Sequence, residues 1–275
     1  MRKILSGVVL VTLLAAATDQ VQQRADKKNI VALGYVPPAT VVNVFGQGIS
    51  MLVADWAIID TMFYYGTLVD PAFSKEEHVL IDYYNLYRHM LRSARLDPYN
   101  QDVYYFSQAI FTWEVGRINE VNDLLDYGMK YRSWDDQLPF FAGFNSFYFL
   151  KDYPKASDYM LEAYQRSGKE LYARLASRFL RRSGRTEAAI AFLQDQISAT
   201  KEPALKKRFL QRLKTFEMIL SVERAVQAFE RDEGHRPLSI DELLDGKYLQ
   251  NAPRDALGRS IFLDENGSVQ SRSGL

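Results

Sequence analysis

The sequence contains no cysteine, and this absence excludes several classes of chemistry at once. Without a thiol, the chain cannot form a disulfide, bind a metal through thiolate, use a cysteine nucleophile or carry a lipid on an N-terminal cysteine. Histidine is nearly as scarce, since His78, His89 and His235 are the only three. They are well separated in sequence and form no H-E-x-x-H arrangement, so we expect no metal site of the zinc type.

The sequence also lacks the common catalytic motifs and an excess of either charge. It has no G-x-S-x-G elbow, no glycine-rich phosphate loop and no dinucleotide fingerprint, which predicts that no cofactor is bound. Asp135 with Asp136, and Asp123 with Asp126, are carboxylate pairs of a kind common on solvated turns and helix faces. We therefore expect no enzymatic activity, with an unrecognised active site as the alternative. The 34 basic residues balance 34 acidic ones, so no overall charge favours nucleic acid.

The apolar run that opens the chain is short for a transmembrane helix. It extends from Ile4 to Ala17, which is 14 residues, whereas a bilayer core needs about 20 in a helix. Arg2 and Lys3 precede it and small residues end it, as in secretory signal peptides. Residues 1–17 are therefore predicted to be a cleaved signal peptide or a retained membrane anchor, with a buried first helix as a further alternative. The first two predict an exported protein that is periplasmic, either free or anchored in the inner membrane.

A linker and a first helical unit are predicted to follow. Residues 18–39 begin with a polar spacer and end in Pro37-Pro38, which favours an extended chain. Gly46 and Gly48 are expected to divide the next stretch into a short helix and a long one. A loop from Thr67 to Ser74 and a second helix from Lys75 to Leu96 complete the unit. The apolar residues at helical spacing in the long helix are Leu52, Trp56, Ile59 and Phe63.

Three short turns in the middle of the chain predict a structural repeat. They begin at Gly116, Lys151 and Gly184, and each ends one apolar helix and starts another. The spacings between them are 35 and 33 residues, close to the period of about 34 of a helix-turn-helix repeat. In the helices after the turns, small and bulky apolar residues occupy matching positions. These residues are Val121, Leu125 and Gly128, then Ala156, Met160 and Ala163, then Ala189 and Leu193.

These turns, and the positions after them, resemble the tetratricopeptide (TPR) repeat family. The resemblance covers roughly residues 50–200, and Asp97-Pro98 lies where the family places the proline that ends a repeat. The first helices depart from the family, because Tyr105, Phe140 and Ala173 occupy the position usually given to tryptophan. The resemblance implies an all-α fold, a TPR-like helical-repeat array or α-solenoid, with a groove that binds other proteins.

A different pattern begins after the repeats. Residues 201–232 are predicted to form a long amphipathic helix that caps the array. Residues 233–275 contain a G-x-x-P turn, a short helical segment and a P-x-D-x-x-G loop, an order that resembles the C-terminal end of type II secretion pseudopilins. Asn266-Gly267, between two apolar segments, predicts a small β-hairpin with a two-residue loop. Pseudopilin loops can hold calcium, but the candidates Asp255, Asp264 and Asn266 lack a defined ligand spacing, so plain turn chemistry is expected instead.

Aromatic side chains are the first group of candidate partner-binding residues. They are too dense to face a single core, because consecutive residues of a helix point in different directions. Some are therefore expected to line the groove and anchor a partner, and filling the space between helices is the alternative. The aromatic candidates are Tyr104, Tyr105, Phe140, Phe144 and Tyr148.

Arginines on one predicted helix are the second group. Residues 55–162 carry 17 acidic and 9 basic side chains, whereas residues 166–214 carry 13 basic and 4 acidic ones. This predicts an acidic half and a basic half. The arginine ridge is expected to be a solvated face, or else to meet an acidic protein surface or anionic lipid headgroups. The basic candidates are Arg174, Arg178, Arg181 and Arg182, with Arg185 ending the run.

Together these features predict an exported scaffold that binds partner proteins in the bacterial cell envelope, in a secretion, pilus or surface-polymer assembly. The alternative is a membrane-anchored structural subunit of such an assembly, and an envelope enzyme is the third interpretation. No nucleic-acid partner is expected, and the oligomeric state is left open. The predicted order is a signal peptide or anchor (1–17), a linker (18–39), a divergent helical unit (40–96), TPR-like repeats (97–200), a capping helix (201–232) and a pilin-like segment with a hairpin (233–275).

Overall fold

The structure, a computed structural model, describes residues 33–45, 48–69 and 81–274. Within this part, the chain forms eleven α-helices and one antiparallel pair of short strands. The predicted all-α class with a small hairpin is therefore confirmed. The predicted signal peptide or anchor, residues 1–17, and most of the linker lie outside the described residues.

Two compact units divide the chain, unit 1 up to Arg132 and unit 2 from Ser133. The division falls inside residues 97–200, which the sequence predicts to be one set of repeats. The helices of unit 1 are α1 (Ala39–Phe45), α2 (Ser50–Val69), α3 (Tyr83–Leu96), α4 (Gln101–Trp113) and α5 (Ile118–Met129). Helix α2 packs along α3, α1 contacts both of them, and α4 packs against α3 and α5.

One predicted boundary in unit 1 differs from the structure. The expected division into a short helix and a long one is confirmed. The loop predicted from Thr67 is wrong at its start, because α2 continues to Val69. The helix predicted from Lys75 to Leu96 is confirmed from Tyr83 onward, and the Asp82 carboxylate accepts the Asn85 N–H at 3.0 Å next to the first residue of this helix. The part of the prediction before residue 81 lies outside the described residues.

Small side chains allow α2 and α3 to approach closely. Ala54, Ala57 and Thr61 are fully buried on one face of α2. Ser93 of α3 donates from its hydroxyl to the main-chain carbonyl of Ala54 at 2.9 Å. The contact between the two helices therefore combines close backbone approach with a buried hydrogen bond.

Unit 2 contains five helices that pack in sequence order, followed by a small C-terminal segment. The elements of unit 2 are α6 (Gln137–Tyr148), α7 (Tyr153–Ser167), α8 (Glu170–Arg182), α9 (Thr186–Ala199), α10 (Pro203–Glu233), α11 (Ile240–Asp245), β1 (Ile261–Leu263) and β2 (Val269–Ser271). Each of α6 to α9 packs against the next helix, and the long α10 packs against α9 and β2.

The three predicted repeat turns share one backbone geometry. Gly116, Lys151 and Gly184 have φ angles of 68°, 55° and 77°, so each turn contains a residue in the left-handed region. In each turn, the next main-chain N–H donates to a carbonyl five or six residues earlier, at 2.9 to 3.0 Å. Helices α5, α7 and α9 begin directly after these turns, so the predicted helix pairs are confirmed.

The helices that follow the turns bury the positions that the repeat pattern predicts. Gly128 belongs to this set for a steric reason, because a Cβ atom there would lie 2.6 Å from Cε1 of Tyr104. Only glycine leaves room for that ring. The other members, each at most 1% exposed, are Val121, Leu125, Ala156, Met160, Ala163, Ala189 and Leu193.

The C-terminal part of unit 2 confirms the predicted long helix and the hairpin, with one correction. Helix α10 spans the predicted residues 201–232 to within two residues at each end. The prediction of a two-residue hairpin loop is wrong. The Asp264 N–H donates to the carbonyl of Ser268 at 2.9 Å, so this pair of residues closes the loop. Three residues therefore remain in the loop. The last of them, Gly267, has a φ of 71°, the left-handed conformation that such loops require.

Candidate functional site

Tyr104, the first aromatic candidate, is a core residue of unit 1. Its side chain is fully buried, and its hydroxyl donates to the main-chain carbonyl of Pro98 at 2.8 Å. Burial raises the pKa of this hydroxyl far above its ordinary value. The prediction that Tyr104 lines a groove is therefore wrong, because Gly128 opens the space that the ring fills. Tyr105, the next residue, is half-buried and stays a candidate.

The aromatic candidates of unit 2 divide between packing and exposure. Phe140 and Phe144 are half-buried on α6. The Phe140 ring lies 5.5 Å from that of Tyr172 on α8, so it fills space between helices, as the alternative interpretation expects. Tyr148 is 48% exposed at the end of α6 and stacks on Phe144, with ring centroids 5.4 Å apart. Tyr148 is therefore the aromatic candidate best placed to contact a partner.

The arginine ridge predicted on α8 is interrupted by burial. Arg174 is exposed, and Arg178 and Arg182 are half-buried. Arg181 is only 8% exposed, because the hairpin covers it. Its Nη1 donates to the main-chain carbonyl of Val269 at 3.0 Å, and its Nη2 to a side-chain oxygen of the same strand. The prediction that Arg181 belongs to a solvated ridge is therefore wrong.

A surface patch connects Tyr148 to the ridge. The Lys151 Nζ lies 5.3 Å from the centre of the Tyr148 ring. The Arg182 guanidinium lies 5.6 Å from the ring of Tyr153, and its Nη1 donates to the Tyr153 hydroxyl at 3.4 Å. We call these four residues the aromatic–basic patch. Cations held over rings offer both charge and apolar area to a partner.

A polar cleft of about 480 Å³ adjoins the aromatic–basic patch within unit 2. Tyr153 and Arg182 belong to both, and Arg181 and Glu223 also line the cleft. Burial raises the pKa of Glu223, although a hydrogen bond with Thr186 and the charge of Arg181 act in the opposite direction. The cleft therefore contains side chains of both charges. Such a lining suits the polar main chain of a bound peptide better than an apolar ligand.

Arg212 is a buried cation that the sequence pattern did not reveal. It is 7% exposed on α10, and its Nη1 has no hydrogen-bond partner among the described residues. Its guanidinium and that of Arg181 each lie 5.9 Å from the Phe216 ring. Burial, together with the charges of the neighbouring arginines, lowers the pKa of Arg212 to about 10. The sequence signal that could have indicated this burial is the spacing of Arg212 from Phe209 and Phe216, which places its charge beside the apolar face of the helix.

The outer face of α2 is a second surface that the sequence pattern did not assign. The buried residues of α2 are Ala54, Ala57, Ile58, Thr61 and Tyr64, none of which belongs to this face. Because α2 is apolar on both sides, periodicity alone does not decide which side packs. In the described ranges, no helix is both long and apolar enough to cross a bilayer. The outer face consists of Leu52, Trp56, Ile59 and Phe63, which are 67%, 67%, 46% and 73% exposed.

The acidic pairs considered for catalysis lie in turns and on a helix surface. Asp135 is buried and accepts the Gln137 N–H at 3.0 Å, and Asp136 pairs with Lys169. Asp123 is exposed on α5. Within residues 33–45, 48–69 and 81–274, no three His, Asp or Glu side chains are grouped so as to hold a metal ion.

The calcium candidates serve the turns around the hairpin. The Asp255 Oδ1 accepts main-chain N–H groups of Leu257 and Arg259 at 2.8 and 2.9 Å, and its Oδ2 accepts the Ser271 hydroxyl. Partial burial raises the pKa of Asp255, but these hydrogen bonds outweigh it and lower the pKa to about 2. Asp264 likewise accepts two main-chain N–H groups of its own loop. Both carboxylates therefore stabilise turns by accepting main-chain N–H groups.

No protein-family model matches this sequence, and no curated protein matches it. A proposal for the function therefore rests on the geometry of the described surfaces.

Proposed function

We propose that this protein is an exported scaffold of the bacterial cell envelope that binds partner proteins through TPR-type helix pairs. The observation that supports it best is the recurrence of one left-handed turn at Gly116, Lys151 and Gly184, each followed by a helix with the same buried positions. Such pairs build an extended binding surface rather than an enclosed active site. In this proposal the protein binds other proteins and catalyses no reaction.

The aromatic–basic patch and its adjoining cleft form the partner site in this proposal. Tyr148 offers an exposed ring on a rigid helix end, a type of residue enriched at interface centres. Lys151 places positive charge beside this ring, and Arg182 places positive charge beside the ring of Tyr153. A partner segment with acidic and apolar side chains would satisfy both features, and charge complementarity would speed its association.

Export and the type of assembly rest on the two ends of the chain. Arg2 and Lys3 before the apolar run favour a signal peptide or anchor. The order of turns and hairpin after residue 233 resembles pseudopilin C-termini, which favours a secretion, pilus or surface-polymer assembly. The link to such an assembly rests on this resemblance alone.

Crosslinking in membranes, followed by affinity capture and mass spectrometry, tests the proposal. Wild type is compared with Tyr148→Ala/Arg182→Glu, which removes both parts of the patch. Tyr84→Ala/Arg88→Glu is the matched control, because Tyr84 is exposed and Arg88 lies 5.5 Å from its ring. We expect wild type and control to capture the same partner, and the patch variant to lose it. Capture of no specific partner by folded wild type contradicts the proposal.

A membrane-anchored structural subunit is the second candidate, and the outer face of α2 favours it. Residues 39–69 contain no lysine or arginine and present exposed aromatic and aliphatic side chains. A bilayer is the occupant we assign to this face, since the apolar run at residues 4–17 would hold α2 close to the membrane. Sequencing the N-terminus of the mature protein separates the candidates. A start near Thr18 contradicts the anchored subunit, and an intact Met1 contradicts release.

A further inference from the structure

Four arginines gather where α8 and α10 approach each other in unit 2. Arg174, Arg178 and Arg181 are spaced by four and three residues, so they share one face of α8. Arg212 of α10 lies within electrostatic range of all three. The guanidiniums of Arg181 and Arg212 approach the same ring, that of Phe216. We call these four residues the arginine cluster.

No described acid forms an ion pair with a member of the arginine cluster. The nearest acid on α8, Glu170, is held by Arg208 through two hydrogen bonds of 2.7 Å. Glu223 and Asp264 lie within electrostatic range of Arg181, but neither forms an ion pair with it among the described residues. Arg174, Arg178 and Arg212 therefore carry positive charges that no described acid pairs with.

Two members of the cluster are buried with hydrogen-bond donors left over. Arg181 and Arg212 are 8% and 7% exposed. The Nε of Arg181 and the Nη1 of Arg212 have no hydrogen-bond partner in the described part of the chain. A guanidinium stays protonated at neutral pH and accepts no hydrogen bonds, so these N–H groups need an acceptor from elsewhere. Leaving a buried cation unpaired is strongly unfavourable, and a bound anion removes that cost.

We propose that the arginine cluster is a binding site for a phosphate group. A tetrahedral phosphate has oxygens that accept hydrogen bonds from several directions, so it can bridge donors on α8 and α10. The two oxygens of a carboxylate lie in one plane and suit a single guanidinium better. Arg174 and Arg178 are the accessible members and meet the ligand first, and Arg181 and Arg212 supply the buried donors. The proposal goes beyond the scaffold function and does not depend on a protein partner.

Titration of the full-length protein with inorganic phosphate, at ionic strength held constant with chloride, tests this site. We expect calorimetry to record binding and Tm to rise with phosphate concentration, because the ligand binds the folded state. Arg178→Gln is expected to weaken phosphate binding on the order of tenfold. Arg212→Met is expected to abolish binding, and to raise Tm in phosphate-free buffer because it removes a buried unpaired charge. Lys214→Met is the control, since Lys214 is exposed and two residues further along α10.

Two results would overturn the site. One is a wild-type protein that responds to phosphate no more than to chloride. The other is a set of Arg178→Gln and Arg212→Met variants that bind phosphate as tightly as wild type and Lys214→Met. Flotation with phosphatidylglycerol vesicles then identifies the source of the phosphate. Flotation that inorganic phosphate competes away, and that Arg178→Gln abolishes, supports a lipid headgroup, and phosphate binding without flotation supports a soluble compound.

Discussion

The Nη1 of Arg181 donates to the main-chain carbonyl of Val269 at 3.0 Å, although 88 residues separate them in sequence. The bond connects the last turn of α8 to the first residue of β2. Val269 is 4% exposed and packs in the same apolar cluster as residues of α10. The C-terminal hairpin is therefore part of the folded core of unit 2, and its presence explains why Arg181 is buried.

Replacing Arg181 with alanine is expected to destabilise unit 2 by about 2 to 4 kcal/mol, because it removes two hydrogen bonds and leaves a buried carbonyl without its donor. Urea unfolding followed by circular dichroism measures the change. Arg231→Ala is the control, since Arg231 is exposed and forms an ion pair with its neighbour Asp232, and should change stability by less than about 0.5 kcal/mol. Equal unfolding midpoints for the two variants would show that the hairpin contact carries little stability.

Adding a methyl group at Gly128 is expected to destabilise unit 1 by about 1 to 3 kcal/mol, because the new Cβ collides with the Tyr104 ring. Gly66→Ala is the matched control, since Gly66 also lies in a helix but has no atom within 4 Å of a new Cβ. That change should stabilise by about 0.5 to 1 kcal/mol through helix propensity. Thermal unfolding of both variants gives the comparison. Stabilisation by both substitutions would contradict the close packing of α4 and α5.

Trp56→Ser/Phe63→Ser tests the outer face of α2. Because both side chains are exposed, the double variant should unfold within about 1 kcal/mol of wild type. Its retention in the membrane fraction, and its binding to neutral vesicles, should fall severalfold if the face lies on a bilayer. Leu238→Ser, at an exposed residue of unit 2, is the control. Unchanged membrane association of the double variant counts against the second candidate function.

Asp255 makes the stability of unit 2 depend on acid pH. Its pKa is about 2 in the folded protein against an ordinary value of 3.8, so the folded state favours the charged form. The resulting stability is present above pH 4 and is lost as pH falls towards 2, and it amounts to about 2 kcal/mol at most. Urea unfolding at several pH values should show a smaller loss for Asp255→Asn than for wild type. Parallel pH curves would rule out this contribution.

Local signals made the helix pairs predictable from the sequence. Gly116 and Gly184 favour the left-handed turn by themselves, and small residues such as Ala156 and Ala163 mark the face that a neighbouring helix approaches. The three-residue hairpin loop was harder, because Asn266-Gly267 is also the signal for a shorter loop. The pairing of Asp264 with Ser268 decided it.

Long-range contacts determined what the sequence could not predict about the surfaces. Arg181 has the same local spacing as its exposed neighbours, and only the distant hairpin buries it. The apolar pattern of Trp56 and Phe63 was correct as evidence for a helix, but α2 packs through a different face, which includes Ala54 and Ala57. The buried state of Arg212 likewise depends on α8, which precedes it by some thirty residues in sequence.

Lys151 occupies the one repeat turn that has no glycine, although its φ of 55° lies in the left-handed region. For a residue with a side chain, that conformation costs about 1 to 2 kcal/mol. The same conformation brings its Nζ over the Tyr148 ring at the surface. The lysine in the middle turn therefore lowers stability but positions an amine at the surface. Lys151→Gly should stabilise the protein and weaken its affinity for a partner.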